Sequence, residues 1–165
     1  MKRVRHFITA ALCLSLVGLS RVHSTVQVDG MLTQFVGTWK GGVIKADGSA
    51  PVTQDVMRIQ PMMSNKFLQI DLRRKSMQPQ QDNFQGKGVL TDDSDQGKYF
   101  LYWFDTDGAH RQYEGKVEGN TIHLAAAESA DRPTLLLSIQ NGDQLTVTVG
   151  RGNTVVQRIA YTKVH

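Results

Sequence analysis

The residues best suited to chemistry in this chain are aromatic rings and an arginine set two apart on either side of a turn. Phe100 and Tyr102 precede Asp105-Thr106-Asp107-Gly108, and Arg111 and Tyr113 follow it. If the turn spans Asp105 to Gly108, then Phe104 pairs with Ala109, Tyr102 with Arg111 and Phe100 with Tyr113. Side chains two apart on a strand share a face, so one surface then holds three rings and a guanidinium. Rings offer apolar area and a guanidinium fixes a polar or acidic head group, a combination suited to a small apolar or amphipathic molecule. The opposite face carries Tyr99, Leu101, Trp103, His110, Gln112 and Glu114. Alternation alone does not say which of the two points inward.

Other chemistries find less support. Hydrolysis by an activated serine calls for a strained elbow and a histidine base, and no Gly-x-Ser-x-Gly occurs. The acids fall mostly in turns rather than in facing pairs. Asp92-Asp93-Ser94-Asp95 and Asp105-Thr106-Asp107-Gly108 lack the downstream spacing and final glutamate of a calcium-binding loop, and read as polar hairpin turns. Gly150-Arg151-Gly152 is not a phosphate loop, since no helix pattern follows it. No catalytic residue and no metal ligand is assigned.

The N-terminus bears on this chemistry through what it removes. A basic start, Met1-Lys2-Arg3-Val4-Arg5-His6, precedes an uncharged and mostly apolar run over 7–19. That order is the order of a secretory signal. The run of 13 residues is shorter than the roughly 20 that a helix needs to cross a bilayer. Cleavage is expected between Ser24 and Thr25, giving a signal peptide over 1–24 and a mature domain over 25–165, secreted or periplasmic. Cys13 lies inside the run rather than at its end, behind the large Leu12, which argues against a lipid anchor.

Lys2, Arg3, Arg5 and Arg21 belong to that segment, so the 19 cations of the chain fall to 15 against 15 acids. The basic balance is a property of the signal. Nucleic acid is accordingly not an expected partner, and no integral membrane segment is expected after cleavage. The only cysteine leaves as well, which excludes thiol nucleophiles, cysteine-bound metals and disulfides from the mature domain.

Elements able to position the aromatic residues are strands throughout. After a short helix at 28–35, with Asp29 as cap and Met31, Leu32 and Phe35 at helical spacing, turn residues recur at intervals suited to an all-β fold. Ten strands are expected, at 36–45, 52–60, 66–74, 83–90, 98–104, 109–117, 121–126, 134–140, 144–149 and 154–163. Leu145, Val147 and Val149 against Thr146 and Thr148 show the alternation of a half-buried strand. Asp47-Gly48, Asp107-Gly108, Gly119-Asn120 and Asn141-Gly142 tolerate positive φ and close tight hairpins, while 76–82 is a polar loop. Sequential hairpins make an up-and-down meander, and closing it on itself removes the two exposed edges.

One stretch couples the helix to the first strand. Leu32-Thr33-Gln34-Phe35-Val36-Gly37-Thr38-Trp39 would plug one end of a barrel and put Trp39 on its floor. With Tyr102-Trp103-Phe104-Asp105 running into Asp107-Gly108, and a closing strand bearing Arg158 and Tyr161, the chain resembles the calycin superfamily. That group includes lipocalins, fatty-acid-binding proteins and ten-stranded nitrobindin-like barrels, and the resemblance is greatest to bacterial barrels of lipocalin-like or nitrobindin-like type. It implies that a last-strand arginine, here Arg158, covers Trp39. It also implies that haem, if held at all, would be held by a histidine near the C-terminal end, with His110, His123 and His165 as the candidates.

The expected protein is therefore a single antiparallel β-barrel of about ten strands that binds a small ligand through Trp39, Phe100, Tyr102, Arg111, Tyr113 and Arg158, with no cofactor required. A cavity-free interaction module of the cell envelope and a haem-binding barrel of nitrobindin-like type are the other expectations.

Overall fold

The computed structural model describes residues 30–44, 51–78, 83–93, 95–127, 132–152 and 154–165. The expected signal over 1–24 and the Asp47-Gly48 turn lie outside these. A single helical turn, α1 (Gly30–Thr33), opens the described chain. Ten strands follow: β1 (Gly37–Ile44), β2 (Thr53–Met62), β3 (Phe67–Ser76), β4 (Phe84–Asp93), β5 (Lys98–Asp105), β6 (His110–Glu118), β7 (Thr121–Ala126), β8 (Pro133–Gln140), β9 (Gln144–Arg151) and β10 (Thr154–Val164). Each lies within a few residues of its expected position, because alternation and turn chemistry are both local signals. The start expected at 28, with Asp29 as cap, lies outside the described residues, and the helix ends two residues earlier than expected: reverse-turn hydrogen bonds from Gln34 to Met31, Phe35 to Leu32 and Val36 to Thr33 take over after Thr33.

Every strand pairs antiparallel with its neighbour in sequence, and β10 returns to β1, so the sheet closes as a barrel. The seam runs from Thr38 opposite Val164 to Ile44 opposite Arg158. Closure leaves no edge strand for another chain to extend. Burial follows the period of two, with Met57 and Ile59 on β2, Leu68, Ile70 and Leu72 on β3, and Ile122 and Leu124 on β7 facing inward.

One end is filled. Leu32, Phe35 and Trp39 are at most 1% exposed, and the Trp39 indole N–H donates to the Phe35 carbonyl at 2.8 Å, tying α1 to β1. The cation over the Trp39 ring is Lys163, whose Nζ lies 5.1 Å from the ring centroid. Arg158 does not occupy that place. On β10 the inward positions are Gln157, Ile159, Tyr161 and Lys163, and Arg158 is exposed on the opposite face.

The hairpin between β5 and β6 differs from expectation by one residue. The Asp105 N–H donates to the Ala109 carbonyl at 3.1 Å and the Gly108 N–H to the Asp105 carbonyl at 3.1 Å. Thr106, Asp107 and Gly108 thus form a three-residue loop, with Gly108 at φ 78°. Phe104 pairs with His110, Tyr102 with Gln112 and Phe100 with Glu114. A slip of one residue moves a whole strand face to the other side. Arg111 and Tyr113 therefore stand with Trp103 and Leu101, not with Phe100 and Tyr102.

Candidate functional site

Above the filled floor the barrel holds a half-open cavity of about 620 Å³. Its walls are mainly apolar: Met57, Ile70, Leu72, Leu101, Leu137 and Ile159 lie among the lining residues. The volume is on the order of 20 water molecules and falls in the range of small-molecule sites. Polar groups are concentrated in two arginine-centred clusters, Arg74 on β3 and Arg111 on β6, set on either side of β4 and β5.

The first cluster crosses the seam. Asp55 on β2, with a side chain wholly removed from solvent, accepts Thr53 Oγ1 at 2.8 Å, Arg74 Nε at 3.0 Å and Nη2 at 2.8 Å, and the Tyr161 hydroxyl at 2.9 Å. The Val43 N–H donates to Thr53 Oγ1 at 3.0 Å, which brings in β1. A buried carboxylate is tolerated when its lone pairs are all engaged, as they are here. Burial works to lower the Arg74 pKa, but the bonds to Asp55 and its charge outweigh it and hold the value above the ordinary one. Burial first, and the Asp55 charge second, push the Tyr161 hydroxyl far above the usual phenol range. Arg74 also stands 5.6 Å from the Phe84 ring centroid.

The second cluster belongs to β5 and β6. Asp105 Oδ1 accepts the N–H groups of Asp107 at 3.2 Å and Ala109 at 3.0 Å, and Oδ2 accepts Trp103 Nε1 at 3.2 Å. Arg111 Nη1 lies 3.6 Å from Asp105 Oδ2, beyond hydrogen-bond length, with its side chain 46% exposed. Burial raises the Tyr113 pKa, partly offset by the nearby Arg111 guanidinium.

Trp103 has an unusual seat. A Cβ placed on Gly86 would stand 2.1 Å from its Cζ2, and one on Gly88 would stand 3.0 Å from its Cε3. Both glycines occupy inward positions of β4, so the indole lies against backbone that any side chain would push away.

The six ligand-binding residues expected from sequence are distributed as follows. Arg111 and Tyr113 line the cavity, together with Trp103. Trp39 sits in the floor packing and Arg158 on the outer surface. Phe100 and Tyr102 take the outward positions of β5, and Tyr102, 40% exposed, borders a second hollow with Phe104, His110 and Arg111, so Arg111 stands at the rim between the two.

Sequence reasoning missed Asp55, Arg74 and Trp103. The signal was present: Asp55 continues the inward parity of Met57 and Ile59, and Arg74 that of Ile70 and Leu72, so each is a charge on an apolar face. Gly86-x-Gly88 was the corresponding signal for Trp103.

A histidine-ligated haem does not fit the residues present. His110 and His165 are exposed, and His123 faces outward with its Nε2 3.8 Å from Glu118 Oε2. No histidine lines the cavity among the described residues. Among them, too, no three metal-ligating side chains gather, and no helix is long and apolar enough to cross a membrane.

Two solved barrels are similar to this chain. A de novo designed fluorescence-activating β-barrel covers 81% of this chain and 96% of its own at 16% identity, with a TM-score of 0.48. A point mutant of the fluorescent protein UnaG covers 81% and 98% at 18% identity, with a TM-score of 0.47. No family model and no curated protein matches. At these scores the likenesses add nothing to the barrel topology that strand pairing already gives.

Proposed function

We propose that this chain is an exported, non-enzymatic binding protein that holds a small apolar or amphipathic molecule inside the barrel. One observation carries the reading: the lumen is filled at one end and keeps about 620 Å³ of mainly apolar space above it, with Arg111 loosely paired on its wall. A cavity left apolar and open to solvent costs packing energy that a filled core would recover, so its persistence points to an occupant. Catalysis is less well supported, because Asp55 and Asp105 already accept several hydrogen bonds each, which leaves neither as an idle base.

Export rests on the N-terminal pattern, with 1–24 as the cleaved segment and 25–165 as the barrel unit. Gly37-Thr38-Trp39 shortly after α1, with Trp39 in the floor, supports placing the chain among lipocalin-like or nitrobindin-like barrels.

Calorimetric titration of the purified protein with dodecanoate, dodecanol and acetate tests the binding reading. Saturable uptake of the two long-chain probes, with acetate excluded, is expected. No uptake of any apolar or amphipathic probe would sink it and favour a cavity-free interaction module. For export, the N-terminus of the protein recovered from the periplasm or medium is expected to begin at Thr25; recovery of intact chain in the cytoplasm would refute it.

A further inference from the structure

We infer that the preferred ligand is an aromatic acid: a flat ring system with its acidic group only a bond or two away and an apolar remainder pointing at the floor. This rests on the binding role proposed above and narrows it to a chemical class.

The indole of Trp103 is held in one orientation. One face rests on the β4 backbone at Gly86 and Gly88, where a Cβ on Gly86 would meet Cζ2 at 2.1 Å. Its Nε1–H is engaged by Asp105 Oδ2 at 3.2 Å. A ring pressed against one wall on its rear face, and lining the cavity, turns its front face to the lumen. Two inward glycines in succession are costly in a strand, because they weaken it and bury no side chain. Here they make room for a flat surface. A flat surface gains most from a flat partner, since stacked rings contribute beyond the area they bury.

The acidic group is placed by register. Trp103 and Arg111 are direct cross-strand partners facing the same side, so their Cβ atoms are about 4.5–5.5 Å apart. A ligand stacked on Trp103 therefore meets the guanidinium at once. Arg111 is the better anchor of the two arginines, because Arg74 is committed to Asp55 through Nε and Nη2 whereas Arg111 stands 3.6 Å from its acid, beyond hydrogen-bond length, with the neutral Tyr113 hydroxyl as its other neighbour. A flexible fatty acid would reach Arg111 with its head but lay a curved, mobile chain on a rigid plane, losing rotamer freedom that a fused ring never had.

Apolar residues below, including Leu101, Leu137 and Ile159, would take the remainder.

The test compares three acids on the full protein by calorimetry: 2-naphthoate, its saturated analogue decahydro-2-naphthoate, and dodecanoate. The aromatic acid is expected to bind roughly tenfold tighter than the saturated analogue, the size of a good ring–ring contact. Equal or weaker binding of 2-naphthoate relative to the saturated acid would overturn the inference, and if dodecanoate still bound, the proposed function would survive it. Failure of all three acids would overturn the inference, and would remove the proposed function as well only if dodecanol also failed to bind.

Trp103→Leu is expected to lose that tenfold for 2-naphthoate and to change dodecanoate by no more than about twofold, the selectivity that a general packing defect would not give. Gly86→Ala provides a second route, because its methyl must displace the indole: 2-naphthoate binding should fall and the near-ultraviolet dichroism of Trp103 should change together. A Gly86→Ala protein with its dichroism altered and its naphthoate affinity intact would equally overturn the stacking.

Discussion

The two arginine–aspartate pairs of the lumen make opposite use of the same chemistry. At the seam, Arg74 grips Asp55 through two nitrogens at 2.8–3.0 Å, Tyr161 and Thr53 fill the remaining acceptor sites, and the carboxylate is wholly buried. On β5 and β6, Arg111 stands 3.6 Å from Asp105, half exposed, while backbone N–H groups and Trp103 satisfy that acid. The first pair is closed and joins β10, β2 and β3, with β1 attached through Thr53. The second leaves its cation available to something that enters. Equal residue types therefore serve architecture in one place and, under the proposed function, recognition in the other, and what separates them is how completely each arginine is held by its acid.

The largest effect should come from removing the buried acid. Asp55→Ala leaves the Arg74 charge half-enclosed without its partner, and a loss of about 3–5 kcal/mol is expected in urea denaturation. A loss no larger than an ordinary surface change would mean that the seam pair is not the fastening described.

Alkali should single out the same cluster. Tyr161 keeps its proton in the folded chain at pH values where an unfolded phenol, with pKa about 10, has lost it. The raised value means that its contribution is fully present below about pH 10 and declines as pH rises above that, by at most about 1.4 kcal/mol per pH unit. Tyr161→Phe should be slightly less stable at neutral pH, through the lost bond to Asp55, but its melting temperature should fall less steeply above pH 10. Some slope will remain, because the Tyr113 pKa is raised as well. Parallel curves for the two proteins would contradict the assignment.

At the floor, Lys163→Met keeps the stem that packs on Trp39 and removes the charge. A loss of about 1 kcal/mol is expected from the missing cation–ring attraction, read by thermal melting. Arg158→Met should leave the melting temperature unchanged, which separates the two cations directly.

Arg111→Gln should cost no more than about 1 kcal/mol, because Asp105 retains its other donors. The same variant should bind dodecanoate about tenfold or more weakly and dodecanol nearly as before, since a bond from a charged donor to the acid is lost. Destabilisation comparable to Asp55→Ala would erase the contrast between the pairs.

Strand count, strand positions, hairpin order and the floor tryptophan are legible in the chain itself, because each follows from contacts within about ten residues: alternation, turn residues, and a helix–strand junction. Leu145, Val147 and Val149 declare a face without any partner. The inward charges Asp55 and Arg74 were equally written there, as breaks in apolar parity.

What the tertiary structure alone decided is which groups meet. A loop one residue longer than a two-residue reversal would need, with Gly108 at positive φ, set the register that put Arg111 beside Trp103 and turned Phe100 and Tyr102 outward. Barrel closure brought Tyr161 to Asp55, 106 residues away in sequence, and parity on β10 gave the place over Trp39 to Lys163 rather than Arg158. The physical reason is common to all three. A period of two tells which residues share a face, but the side that faces inward, and the partner across the lumen, depend on loop geometry and on the closing of the sheet, which no local pattern encodes.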